Sequence, residues 1–197
     1  VSYAVGGEGT VLETTDYGET WNSRSHAVNS TLYDVEDQWG YDQIWAVGHY
    51  GVILKNSGIE TEFELQNQGY LGWLYSVEFV NENEGWASAM GEPYTRIKHT
   101  NDGGQTWHSA YQSLNLTESL MTMTVIISPN FTQDQTVFAG VPGGILSSTD
   151  SGQTWRVTQL PDPAPVVVSL AEAGRIVLRA GRSPFSAAVV PGSGGRP

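Results

Sequence analysis

Ser148–Trp155 reads STDSGQTW, and two relatives stand upstream of it: TTDYGETW at Thr14–Trp21 and TNDGGQTW at Thr100–Trp107. All three share Ser/Thr-x-Asp-x-Gly-x-Thr-Trp. A pattern spelled three times in 197 residues is either a repeated site or a repeated unit of fold. The residue types favour the second. The aspartates (Asp16, Asp102, Asp150) suit a tight turn, where a carboxylate accepts from nearby backbone N–H groups. The glycines (Gly18, Gly104, Gly152) supply a positive φ. The threonines (Thr20, Thr106, Thr154) are β-branched and carry a hydroxyl. The tryptophans (Trp21, Trp107, Trp155) each offer a large ring, whose burial is worth roughly a few kcal/mol. All three are expected to be buried. The rival reading is a calcium loop, because Asp-x-Gly and Asn-x-Asp spacings resemble its ligands. The further acidic positions and the closing Glu of such a loop are missing. Neither a metal nor a cofactor is expected.

The surroundings of the box repeat with it. YAVGGEGTVLETTDYGETW (Tyr3–Trp21) matches WAVGHYGVILKNSGIETEF (Trp45–Phe63), in which Gly58 replaces the Asp and Phe63 the Trp. The anchors Trp21, Phe63, Trp107 and Trp155 are spaced by 42, 44 and 48 residues. LYDVED from Leu32, LYSVEFV from Leu74 and MTVIIS from Met123 recur in phase, each before an aromatic-bearing strand: IWAVG, GWASA, TVFAG. One unit is therefore four short strands: Leu32–Asp37, Ile44–Gly48, Val52–Asn56 and Phe63–Asn67. Four strands per 40–50 residues predict an all-β fold, a β-propeller of four-stranded antiparallel blades. No segment has a sustained helical period.

Blades are expected at 29–69, 70–115 and 116–160, flanked by partial blades at 1–28 and 161–181. The box lies in the hairpin between third and fourth strands. VVVSL (Val166–Leu170) and RIVLRAG read as first and second strands of another blade. They either close a four-bladed ring or belong to one of six or seven blades, and the second is favoured because four is the low end of the range. Residues 182–197 form a low-complexity tail; from Arg175 onward there are four arginines and no acid.

Lys plus Arg number 9 against 21 Asp plus Glu, a formal charge of −12. Such a surface argues against nucleic acid, which requires a positive footprint. There is no cysteine, which removes disulfides and thiolate chemistry. No apolar run reaches the ~18 residues of a membrane span, so no membrane insertion is expected. The chain begins at Val1 directly in a strand-like stretch and is read as a mature form or a fragment.

The box is the Asp-box, or bacterial neuraminidase repeat, of sialidases, xyloglucanases and sortilin-like receptors. The longer strings LYSVEFVNENEGWASAMG, WAVGHYGVILKN and YAVGGEGTVLETTDYGETW resemble the photosystem II stability/assembly factor family, over about residues 3–110. SPNFTQDQTVFAGVPGGILSSTDSGQTW is more similar to Asp-box repeats of bacterial surface proteins. The resemblance implies an exported protein (periplasm, thylakoid lumen or outside) that binds a protein partner and performs no chemistry. A glycan-binding or glycoside-hydrolase propeller is the alternative, with a glycan as partner.

Residues for chemistry are sparse. A sialidase-type arginine motif has only YTRIKH as its nearest string, with Lys98 in place of Pro. A glycosidase needs two carboxylates across a cleft; Glu8 with Glu92 is the candidate pair, read otherwise as solvated loop acids. The histidines (His26, His49, His99, His108) lack metal-ligand spacing. No catalytic residue is assigned. Binding is expected where the loops between second and third strands converge, with Tyr50, Glu92, Tyr94 and Arg96 as the residues of interface type.

Overall fold

A computed structural model describes residues 1–24, 26, 28–38, 43–56, 62–66, 72–90, 97–110, 121–160, 166–172 and 176–181, with the backbone alone for Gln38 and for 166–181. The first sheet holds β1 (Ser2–Val5), β2 (Val11–Thr14) and β3 (Asn22–Ser23). The second holds β4 (Leu32–Gln38), β5 (Gln43–Gly48), β6 (Ile53–Asn56) and β7 (Glu64–Leu65). The third holds β8 (Trp73–Phe79), β9 (Gly85–Met90), β10 (Ile97–Thr100) and β11 (His108–Ser109). The fourth holds β12 (Thr124–Ile127), β13 (Val137–Val141), β14 (Gly144–Ser148) and β15 (Arg156–Gln159). Two strands follow as a fifth sheet, β16 (Val166–Glu172) and β17 (Ile176–Gly181). Every pairing is antiparallel and joins consecutive strands. The sheets follow one another as blades of an open arc, with β4 against β8, β8 against β12 and β12 against β16. The arc does not close: β16 pairs with β17 in a sheet of its own.

One helix departs from the all-strand expectation. Residues Phe131–Asp134 form a single α-turn, α1, between β12 and β13. It is too short to show a period. Its Phe131 is buried against Trp86, 5.2 Å between ring centroids.

The first four sheets are held together by apolar clusters that straddle their three junctions. Val11 joins Leu32, Ile44, Leu54 and Phe63, with Tyr3 packed beside them. Trp45, Val47 and Ile53 of the second blade join Leu74, Val77 and Phe79 of the third. Trp86 and Ile97 of the third join Val125, Val137, Leu146 and Trp155 of the fourth. The second strands of the second and third blades, β5 and β9, are buried on both faces, which is why IWAVG is continuously apolar instead of alternating.

In the first, third and fourth blades the box closes the outer hairpin by one bonding scheme. In the fourth blade Thr154 N–H donates to Asp150 Oδ1 at 2.8 Å, and the Thr154 hydroxyl donates to Oδ2. Ser148 Oγ donates to Asp150 Oδ1 at 2.7 Å and accepts Gly152 N–H at 2.8 Å. The same bonds recur around Asp16 and Asp102. The leading hydroxyl, Thr14, Thr100 or Ser148, is buried in each. The x-Gly pairs Tyr17-Gly18, Gly103-Gly104 and Ser151-Gly152 all have positive φ. That explains Gly in the turn, and close packing explains it further. A Cβ on Gly152 would stand 3.0 Å from Trp86 Nε1 of the preceding blade, and one on Gly104 would stand 3.3 Å from Trp45 Nε1.

Trp86 and Trp45 are therefore platforms. They sit at the same register of the second strand, opposite His99 and Lys55, and receive the box of the following blade. Tyr3, opposite Glu13, is the matching residue of the first blade and meets Phe63 edge-on, at 6.3 Å. Lys55 reinforces one junction: Nζ lies 5.1 Å from the Trp45 ring centroid and donates to Gly103 O at 3.0 Å. This geometry corrects one expectation. Trp155 is buried and Trp107 half-buried, but Trp21 is 43% exposed. A box Trp is covered by the preceding blade, and the first sheet has none against that face among the described residues.

The hydrogen bonds also set the charge state of the boxes. The Thr20 hydroxyl and amide, with Thr14, hold Asp16 down at about 2. Burial pulls Asp102 and Asp150 upward, but the Thr106 or Thr154 hydroxyl and amide, with Thr100 or Ser148, outweigh it and leave both below the ordinary carboxylate value.

Candidate binding face

The described turns between second and third strands emerge at the end of the blades opposite the boxes. In GGEG and GHYG the turn needs two successive residues at positive φ: Glu8 (+53°) with Gly9 (+70°), and Tyr50 (+58°) with Gly51 (+68°). A tyrosine at positive φ is strained by roughly 1–2 kcal/mol relative to glycine. Its ring is 64% exposed, so core packing does not explain its presence.

Two β-bulges bring further rings to the same end. Leu32 faces Gly48 and Asp34 faces Val47, so Tyr33 is an extra residue in β4. Leu74 faces Ala89 and Ser76 faces Ser88, so Tyr75 is the extra residue in β8. The bulges turn both tyrosines out of the ladder. Five rings then touch in series. Tyr50 stacks on His49, with centroids 4.0 Å apart. His49 meets Trp73 edge-on at 4.8 Å, Trp73 meets Tyr75 at 6.1 Å, and Tyr75 meets Tyr33 at 5.2 Å. Trp73 and Tyr33 are each more than a third exposed. The row bridges the second and third blades across their first strands.

Carboxylates lie beneath it. Asp34 accepts Val77 N–H at 2.9 Å and Val35 N–H at 3.0 Å, tying β4 to β8. Ser76, its counterpart in the third blade, makes the same link to Val125. Burial pushes the Asp34 carboxyl above its ordinary value. Burial, then the charges of Asp34 and Asp37, raise Glu36 to about 7 against a bond from Phe79 N–H. These acids hold the two inner strands together.

Of the residues expected to bind, Tyr50 is at this face; Glu92, Tyr94 and Arg96 fall in 91–96, outside the described residues. The carboxylate pair Glu8 and Glu92 likewise has one member outside them, while Glu8 is an exposed hairpin tip. Tyr33, His49, Trp73 and Tyr75 were not anticipated. A signal was available: in LYDVED and LYSVEF the core residues Leu32 and Val35, or Leu74 and Val77, are three apart, not two. A strand that buries positions three apart contains an extra residue.

A groove of about 950 Å³ opens at the box end, between the third and fourth blades, lined by Asn83, Glu84, His99, Asn101, His108 and Gln153 among others. One of its two imidazoles is already engaged: His99 stacks on Trp86 at 4.6 Å and lies 3.4 Å from Glu84. Burial lowers the His99 value despite the Glu84 charge. Among the described residues no group of three His, Asp or Glu could hold a metal ion, and no helix is long and apolar enough to cross a membrane.

Comparison with known proteins gives the family. No curated protein matches by sequence. Among solved structures, YCF48 bound to a D1 peptide is similar at TM-score 0.62 and 17% identity, covering 86% of this chain and 54% of that one. An ancestral GH74 enzyme is similar at 0.64 and 19%, covering 81% of this chain and 22% of that one. The Niastella koreensis GH74 enzyme is similar at 0.61 and 15%, covering 81% and 27%. The chain thus spans about half of the YCF48 structure and about a quarter of each GH74 enzyme; at these identities the likeness shows the fold. The family model for photosynthesis system II assembly factor YCF48 matches residues 60–173, more than half of the chain. That range corrects the extent read from the sequence, since it takes in the fourth blade, which looked closer to bacterial surface repeats. With its Asp-box blades, the chain belongs to the YCF48 family of photosynthesis system II assembly factors.

Proposed function

We propose that this protein is a non-catalytic, exported propeller that binds a segment of a partner protein on the face carrying Tyr50. The row of five touching rings, Tyr33 to Tyr50, is the observation that carries the reading. Aromatic rings are the usual anchors of protein interfaces, and these are surplus to the core. Membership of an assembly-factor family, and a family structure bound to a D1 peptide, support a protein partner. The GH74 likeness supports a glycan equally at the level of fold. An exposed tryptophan beside tyrosines would also suit a sugar ring, so glycan binding is the second reading. Hydrolysis has less support: Asp34 and Glu36 of β4 serve inter-blade bonds to Val77 and Phe79.

The test is selection of a random peptide library on the full chain, with Tyr50→Asn/Trp73→Ala as counter-target and release of reducing sugar from xyloglucan in parallel. We expect peptides that are lost on the double variant, and no sugar release. Turnover of the polysaccharide, or a peptide set indifferent to the variant, refutes the reading.

A further inference from the structure

We infer that the aromatic row is a site for arginine-bearing segments, recognised by the faces of Tyr50, Trp73 and Tyr33 within an acidic field. This inference rests on the protein-binding reading and adds the chemistry of the partner. Three observations converge. First, the exposed faces are π-systems, which attract a cation held over the ring. Arginine suits them better than lysine, because its planar guanidinium stacks and sheds water more readily.

Second, charge is complementary. The chain carries −12, and Glu8 stands exposed at the neighbouring hairpin tip. Asp34 follows Tyr33 on β4 and lies below the row, with Glu36 and Asp37 further along the strand toward the box end. The described cations are placed elsewhere. Lys55 is committed to Gly103 O at the box end, Arg24 is paired with Glu13 at 3.0 Å, Arg156 is on the outer strand β15, and Lys98 is half-buried on β10, between β9 and the outer strand β11. Among the described residues the acids at this end, Glu8 and Asp34, disfavour an anionic segment.

Third, the row is built at a cost to the fold. Tyr50 occupies a positive-φ position, where Asn or Gly is favoured. Two bulges present Tyr33 and Tyr75. The rings also form a line, which suits an extended segment more than a compact surface.

The test is fluorescence anisotropy with the full chain and a labelled ten-residue peptide of alternating Gly and Arg. Matched peptides carry citrulline, Lys or Glu in place of Arg, and cellohexaose serves as the glycan probe. The Arg peptide is expected to bind saturably and to weaken about ten-fold or more with citrulline. Tyr50→Asn and Trp73→Ala should each weaken it roughly two- to five-fold, the loss expected for one exposed cation–π contact. Asn suits the turn, so the Tyr50→Asn melting temperature should hold or rise, separating lost binding from lost folding. Failure of the Arg peptide to bind, or binding unaffected by both variants, overturns the inference. Equal binding of the citrulline or Glu peptide overturns the arginine assignment and leaves the protein-binding reading standing. Binding of cellohexaose with no peptide overturns both.

Discussion

Gly152→Ala should destabilise the protein far more than Gly18→Ala, although both replace the same box residue. Backbone strain is common to the two. Gly152 has φ +81° and Gly18 φ +92°, and either alanine should cost about 1–2 kcal/mol there. Packing separates them. The Gly152 Cβ would lie 3.0 Å from Nε1 of Trp86 and 3.4 Å from the Trp155 ring. Trp86 is wholly buried between Phe131 and His99, so the ring has nowhere to retreat. Overpacking of this kind adds about 1–3 kcal/mol. The Gly18 Cβ would meet nothing nearer than 3.9 Å, and that neighbour is its own Trp21. The expected loss is about 3 kcal/mol for Gly152→Ala against about 1–2 for Gly18→Ala. For a chain of this size that corresponds to drops of roughly 6–12 °C and 2–8 °C. Gly104→Ala, at 3.3 Å from Trp45 Nε1, should fall between. Thermal melts by near-ultraviolet circular dichroism would report both the midpoint and the packing of the indoles. Equal losses at Gly18 and Gly152 would refute the idea that the box locks onto the preceding blade, leaving only the turn.

Two other outcomes follow from the same geometry. Trp155→Ala should cost about 3–5 kcal/mol, as for a buried aromatic: it removes a buried ring and its bonds to Ala110 O and Gly152 O. Trp21→Ala, with its ring 43% exposed, should cost less than half as much by the same melts. Stability should peak on the mildly acidic side. The box aspartates titrate below their ordinary value when folded, so their contribution is present above about pH 4 and is lost as pH falls through the folded value. Glu36 is raised from 4.5 to about 7, so its contribution is complete below pH 4.5 and is lost as pH rises through 7. That loss is on the order of 3 kcal/mol. Melting temperature should fall between pH 5 and 8, and Glu36→Gln should flatten the fall; an unchanged slope in the variant would show that Glu36 is not its source.

The blades were legible in the sequence because each is a local object. The box hairpin closes within eight residues, and every pairing joins consecutive strands, so period, strand type and turn chemistry are all written in order along the chain. The roles of Asp150, Gly152 and Thr154 could be derived from residue chemistry alone. What lies between blades could not. Trp86 sits 66 residues from Gly152, and nothing local to either says that one roofs the other; hence Trp21 was expected to be buried like Trp155. The proposed binding face is non-local for the same reason. Tyr33, Tyr50 and Trp73 are neighbours only because two bulged inner strands lie side by side with a positive-φ turn between them. The sequence determined the repeating hairpins, through short-range hydrogen bonding and steric preference. Tertiary structure alone decided which rings are covered and which remain exposed, because that depends on which blade packs against which.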